Sequence, residues 1–502
     1  MVLKGGSMSS ELKPGLTWRS LTALFLSALI FVPVTIYLVL VSGATIASAA
    51  AYVMIILVSE MALYSGARLS KQELFIIYEL SLLTASSIPV YYWLIYRGFV
   101  VNSPMAYSFT LRGKPLPYLI PSWMAPPPGS EVYRLRTLFH PDWLIPIAIY
   151  TLWTFLGFLA TASLAMIYAP LLIEVERLMF PFAQIDASMI VTLSEREEER
   201  MRFFVLALII GLAYGFIAYI PPILGGVQII PLPWADFTLY IQDLLPGALV
   251  GIATDVGSFG LGLLLPLRMV GLMALGSVLV WVIGNTLFLM PSFRAFFPKW
   301  AEEYYRGMTL AALYQRSLFR VWISPQIGLA VGLSVAVVIY RIKDIAKTFK
   351  LLIKRGKSIQ EAGFPPLPLL LAIFLVSAST SIVIYHYLIP EYPLGIALFM
   401  PLVFSPLMGL INARIYGEIG LPVFPGAAGV SYFWHCITYF TGYEGYAGWH
   451  FQPVLVDMGV PGMVNSIKAA YLTNTRPIDY IKAMGIGLVA VSIAVSYTHL
   501  TL

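Results

Sequence analysis

The chain has 502 residues, 59% of them hydrophobic and only 11% charged, with a net charge of +6 and a single cysteine. An average soluble domain is about 25% charged, so an ordinary soluble fold is excluded. The basic residues lie in short loops beside apolar runs, as membrane orientation requires, which argues against nucleic acid as a partner, and one cysteine, Cys436, excludes an internal disulfide or a Cys-based metal cage.

A helix needs about 20 apolar residues to cross a hydrocarbon core of about 30 Å. Helix is the only structure that segments of this length can adopt there, because lipid cannot satisfy a bare backbone. From the N-terminus, Lys4, Lys13 and Arg19 precede a first run, Leu21–Val41. It is too long for a signal-peptide core, so it reads as an uncleaved span despite the small residues Ala47-Ser48-Ala49-Ala50. Ala44–Ser59 follows, then Arg68 and Lys71, then Leu74–Ile95, a span carrying Glu79 and interrupted by Pro89. The loop over 96–142 is proline-rich and is expected outside, irregular rather than helical.

Leu144–Leu172 returns the chain inside, where Glu174–Arg202 carries the run Glu195-Arg196-Glu197-Glu198-Glu199-Arg200, read as a solvated helix start. Phe203–Ile223 is the next span. Ala248–Leu265 is a weaker one, and glycines at 251, 257, 260 and 262 would let it unwind around Asp255 and offer carbonyls and helix ends to a ligand. Close helix packing through small residues is the ordinary reading of the same stretch. Met269–Met290 leads to a second external loop over 291–322, with an amphipathic stretch at Thr309–Phe319, and then to Ile327–Tyr340.

The basic stretch Arg341–Lys357 has seven Lys or Arg against one acid, Asp344. Within about 341–364 it reads as an amphipathic helix at the cytoplasmic leaflet. An even number of crossings back to a cytoplasmic N-terminus is met only if Ala248–Leu265 crosses. Leu367–Tyr387 and Leu394–Ile411 are the next spans. Met484–Val495 begins another that stops short of a crossing. The closing residues 496–502 resemble translated sequencing-adaptor read-through, so the natural chain is expected to continue beyond them. The fold class is therefore all-α: one polytopic membrane bundle over 1–502, of about ten to twelve helices with re-entrant or broken segments.

Ionisable groups inside spans cost about 2.5–3.5 kcal/mol near the centre on insertion scales, so each is a functional candidate. Glu79 and Asp255 are two. In Asn412–Gly420, Arg414 and Glu418 stand four apart and would share a helix face as a buried pair. Arg414 could hold a substrate carboxylate through two parallel bonds, or simply anchor the end of a span. Downstream, Tyr432, Phe433, Trp434, Tyr439, Phe440, Tyr443, Tyr446 and Trp449 could line a substrate pathway, or form an interfacial aromatic belt. His435 could relay a proton or be a packing residue. Spacing gives no metal site, and HExxH, Gly-x-Ser-x-Gly and P-loop signatures are missing, which favours transport over enzymatic or ATP-driven chemistry.

At Ala413-Arg414-Ile415-Tyr416-Gly417-Glu418, followed by Ile419-Gly420-Leu421-Pro422, the sequence resembles the oligopeptide transporter family. Pro221-Pro222-Ile223-Leu224-Gly225-Gly226, Trp234, Asp236 and Leu245-Pro246-Gly247-Ala248 resemble its divergent archaeal and bacterial branch, over roughly residues 200–470. The resemblance implies re-entrant segments and cation-coupled, proton-driven uptake of small peptides or metal–chelate complexes. Departing from the family pattern, Leu421-Pro422-Val423-Phe424 follows the motif. The expected protein is a plasma-membrane symporter with a cytoplasmic N-terminus, working by alternating access and needing no cofactor. Its partners are lipid, a small solute and H+, and a homodimer is allowed. Substrate would meet Arg414, Asp255, Tyr432, Trp434 and Tyr439, while Glu418, Glu79 or His435 moves the proton. The rival reading is a membrane-embedded enzyme on a lipid-linked substrate, or a non-transporting subunit.

Overall fold

The structure, a computed structural model, describes residues 12–42, 47–86, 88–231, 233–254, 256–329, 332, 336, 339–340, 364–420 and 430–501. In chain order its main helices are α1 (Trp18–Ser42), α2 (Ala47–Tyr64), α3 (Lys71–Ser86), α4 (Ile88–Asn102), α5 (Pro141–Pro170), α6 (Pro181–Glu195), α7 (Glu198–Gly225), α8 (Val256–Leu264) and α9 (Leu267–Ser277). They continue as α10 (Leu367–Leu388), α11 (Leu394–Phe399), α12 (Ser405–Ile419), α13 (Val430–Phe440), α14 (Gly459–Leu472) and α15 (Pro477–Thr501). Sheet among the described residues is confined to two antiparallel ribbons of two-residue strands. Seven helical stretches among the described residues are long and apolar enough to cross a membrane: Trp18–Tyr37, Pro141–Val175, Glu198–Pro222, Leu267–Leu287, Leu367–Leu388, Leu394–Ile419 and Pro477–Ala494. The protein is an all-α, polytopic, multi-pass membrane protein.

Local chemistry sets several boundaries. Ser70 and Glu73 form a capping box at the start of α3: Glu73 Oε2 accepts from the Ser70 amide at 3.0 Å and Ser70 Oγ from the Glu73 amide at 3.3 Å. His140 Nδ1 accepts from the Asp142 amide at 3.3 Å, with Pro141 at the first helical position of α5. Prolines that lack a donor loosen the ladder where π turns appear, after Pro170 and at Met400–Phe404, which contains Pro401. Gly420, at φ 76°, ends α12 in the left-handed region.

The described chain divides into two compact units, Met1–Arg196 with Val337–Leu502, and Glu197–Ala336. In the first, α3 is buried nearly all round and packs on α1, α2, α6 and α15. Helix α14 is central too, packed on α5, α6 and α12. The second unit has the mostly exposed apolar helix α7 and a small core of Trp300, Met308, Leu313 and Val321. Its helix Leu310–Ser317, capped by Thr309, coincides with the expected amphipathic stretch.

Several expected spans are realised differently. Leu74–Ile95 is covered by two helices, α3 and α4. Ala248–Leu265 is not one crossing helix. Gly251–Ile252 pairs as a strand with Ala235–Asp236, and the nine residues of α8 rise only about 14 Å. Of its four glycines Gly251 lies in the strand and Gly257, Gly260 and Gly262 lie within α8, which is too short to cross, so the even crossing count that rested on this segment does not follow. At the C-terminus, α15 begins at Pro477, seven residues before the apolar run. Asp479 and Lys482 are thus carried into a stretch of 18 residues that is long enough to cross. Part of Ile327–Tyr340 and the basic segment 341–363 lie outside the described residues.

Candidate functional site

The first unit holds four polar constellations. The deepest is a helix break. Residues Phe451–Met458, between the turn Ala447–His450 and α14, are not helical, yet Phe451, Val454, Val456 and Asp457 are buried. Their backbone is held by side chains from the middles of two candidate spans. Ser381 Oγ of α10 accepts from the Val454 amide at 3.2 Å, and Ser405 Oγ of α12 accepts from the Val456 and Asp457 amides at 2.6 and 3.2 Å. On α5, Gly157 lies against Val454 and Thr161 against Gly459. Irregular backbone at that depth survives only when protein buries it or a cavity hydrates it.

Asp457 is 1% exposed. The Ser405 hydroxyl donates to its Oδ1 at 3.0 Å, and Asn412 Nδ2 donates to its carbonyl at 3.4 Å. Among the described residues Asp457 Oδ2 and Asn412 Oδ1 have no hydrogen-bond partner.

The second constellation joins α2, α3, α6 and α14. Glu79, 3% exposed, accepts from Ser466 Oγ at 3.0 Å. Asp186, 8% exposed, accepts from the Tyr78 and Tyr52 hydroxyls at 2.9 and 3.4 Å. Among the described residues neither acid is ion-paired to a Lys or Arg. Asp186 lies outside the candidate spans. Burial pushes its carboxyl up to about 6, against the pull of the two phenols.

The third contains the expected Arg414–Glu418 pair, which forms with Nη2 3.3 Å from Oε1. Arg414 Nε also lies 3.0 Å from Glu176 Oε2, beyond the π turn that ends α5. Arg414 thus stands between two carboxylates near the end of its span. Gly417 is fixed by contact: a Cβ there would meet the Phe180 ring at 2.8 Å and Leu178 at 2.9 Å, while its carbonyl accepts from the Phe180 amide at 2.9 Å.

The fourth is aromatic. Trp434 is fully buried on Tyr392, and its indole N–H donates to the Gly448 carbonyl at 2.8 Å. His435 Nε2 is 2.9 Å from the Trp449 carbonyl, and buried Arg97 donates to the His450 carbonyl at 2.8 Å. His450 meets solvent on one side. Lost hydration on the other, with Arg97 and His435 nearby, pulls its imidazole down to about 4. Beside this cluster an open cleft of about 660 Å³ is lined by Arg112, Lys114, Glu391 and Glu444 among others, with Arg112 and Glu444 ion-paired across it.

Of the residues singled out from sequence, Glu79 lies with Asp186, Arg414 with Glu418, and Trp434 and His435 against the Ala447–His450 turn. Tyr439 is exposed at the end of α13. The Tyr432 side chain and Asp255 lie outside the described residues. Asp457, Asp186, Ser405 and Asn412 were not singled out. The signal for Asp457 was the cluster Asp457-Met458-Gly459-Val460-Pro461-Gly462, an acid immediately before a Gly- and Pro-marked helix start. No group of three or more His, Cys, Asp or Glu suited to a metal occurs among the described residues.

The family model described as OPT oligopeptide transporter protein matches residues 15–502. No curated protein matches the chain.

Proposed function

The chain belongs to the OPT oligopeptide transporter family, and on that premise we propose that it is a proton-coupled symporter of small peptides or metal–chelate complexes in the plasma membrane, with a cytoplasmic N-terminus. What carries the reading is the pair Glu79 and Asp186. Two acids from packed helices are buried with hydroxyl partners and no bonded base among the described residues. Such acids favour the neutral form and release a proton only when water or a base reaches them. Helices α6 and α14, which supply Asp186 and the Ser466 partner of Glu79, also pack on α12. Rearrangement of those helices in an alternating-access cycle would therefore change the hydration of both acids.

In this reading Arg414 is the first cation to meet a substrate carboxylate, which would displace Glu418, the more exposed of its two partners. The outer cleft, with cations and acids on its walls, suits a zwitterionic peptide. The direct test is uptake of labelled di- to tetrapeptides into proteoliposomes under a pH gradient. Wild type should accumulate peptide, Glu79→Gln should not, and a wild type indifferent to the gradient would refute proton coupling.

A further inference from the structure

The helix break before α14 offers a carboxyl group that the reading above leaves unused. Asp457 is 1% exposed at the depth where α5, α10 and α12 are at mid-span. An ionised carboxylate there would require strong donors on both oxygens or a cation beside it. Among the described residues Oδ1 receives the hydroxyl hydrogen of Ser405, and the one other donor beside the carboxyl is the residue's own amide. Oδ2 has no hydrogen-bond partner among the described residues, although it is buried.

The elements packed around Asp457 carry few candidates for a counter-charge. On α5, Tyr168 donates to the Pro406 carbonyl at 3.1 Å. On α10, Tyr385 packs in the aromatic cluster and His386 lies one residue on. On α12, Arg414 is committed to Glu176 and Glu418, and the Tyr416 ring lies tilted against Phe182. On α14, Lys468 and Tyr471 are more than two turns beyond the helix start. None is bonded to Asp457 among the described residues.

An alkali cation would need several more oxygens than the two unpartnered ones, Asp457 Oδ2 and Asn412 Oδ1, because the Asp457 carbonyl and the Ser405 hydroxyl are already engaged. A proton needs one. We infer that Asp457 is a second proton-loading site of this transporter, protonated on Oδ2 in this conformation and positioned by Ser405 and Asn412 at the re-entrant break. Loading forms one O–H bond with a proton taken from water. Unloading returns it when the break is hydrated on the opposite side. The inference rests on the transport reading but adds a proton to it, separate from the one carried by Glu79.

The test uses the full chain in phosphatidylethanolamine–phosphatidylglycerol vesicles with labelled trialanine. Each proton moved with substrate adds about ten-fold to steady accumulation per unit of pH gradient, so Asp457→Asn should lower the accumulation ratio by about that factor. Unchanged accumulation overturns the proposal, as does wild-type uptake driven by sodium at equal pH. Infrared spectroscopy decides independently of transport, so a wild type that moves no trialanine sinks the functional reading and leaves this arm in force. Glu79 and Asp186 contribute protonated-carboxyl bands of their own, so the readout is the wild-type-minus-Asp457→Asn difference. A protonated-carboxyl component lost with Asp457 supports the site, and a difference spectrum without one overturns it. Should Asp457→Asn not fold, Ser405→Ala decides. Loss of its hydroxyl donor removes a bond that favours the ionised form, so the band should titrate about 1–2 pH units higher, and an unmoved midpoint overturns the proposal.

Discussion

Trp434 lies face to face with Tyr392, ring centroids 5.0 Å apart and planes 9° from parallel, while its indole N–H is fixed on the Gly448 carbonyl. The residue has no exposed face to offer a passing solute. Trp434→Ala should therefore destabilise the protein by about 3–5 kcal/mol, as emptying a large aromatic site does. Trp434→Phe, which keeps a ring but leaves the carbonyl bare, should cost about 1–3 kcal/mol. Thermal unfolding in detergent measures both. A transport defect at unchanged stability would restore Trp434 to the substrate path.

Arg414 makes two ion pairs of different quality. Side-chain exposure is 22% for Glu176 and 47% for Glu418. Glu418→Gln should cost under about 1 kcal/mol, as partly solvated pairs do. Arg414→Gln leaves Glu176 shielded and unmatched, and should cost more. If Arg414 receives a substrate carboxylate, the KM for free peptides should rise in Arg414→Gln, while that for C-terminally amidated peptides stays put. Unchanged proton coupling in Glu418→Gln would remove that acid from the mechanism.

The close approach at Gly417 predicts that Gly417→Ala destabilises the α12–Phe180 contact. A methyl group at 2.8–2.9 Å from two side chains forces a shift, with a cost of about 1–3 kcal/mol. Phe180→Leu should relieve part of it. Equal stability of the single and double variants would show that the contact is not tight.

Two titrating groups outside the candidate spans, buried Asp186 and part-solvated His450, should act on stability with opposite signs. The Asp186 carboxyl is raised from 3.8 to about 6. Its contribution is complete below the unfolded value and is lost as pH rises through about 6, and Asp186→Asn should abolish that loss, on the order of 3 kcal/mol. The His450 imidazole is lowered from 6.5 to about 4. Its contribution is complete above 6.5 and is lost as pH falls toward 4. His450→Gln should flatten that acid limb, which is shallow because part of the ring meets water. Unfolding midpoints across pH 4–7 for the two variants separate the effects.

The apolar spans were legible because hydropathy is additive over about twenty residues. The Arg414–Glu418 pair was legible because helix geometry fixes its spacing. Glu176 was not, since it meets Arg414 only after the π turn beyond α5 brings the chain back. Asp186 looked like a residue of a solvated connector until α6 packed it on Tyr78. Asp457 was hidden for a related reason. Outside an apolar run, hydropathy reads a buried irregular segment as an ordinary loop, and only the serines of α10 and α12 reveal its depth.

Lys13 adds one last consequence. Its amide donates to the Asn474 carbonyl at 2.9 Å, and the Lys13 carbonyl accepts from the Arg476 amide at 3.1 Å. The Gly15 amide donates to Asp479 Oδ2 at 3.2 Å. The segment before α1 is thus fastened to the turn between α14 and α15. During biogenesis α1 and α3 must wait, incompletely covered, until α15, which begins at Pro477, has left the ribosome. A chaperone or the insertion machinery has to shelter them for that interval, and a fusion tag placed just ahead of Leu12 would press on the closing seam.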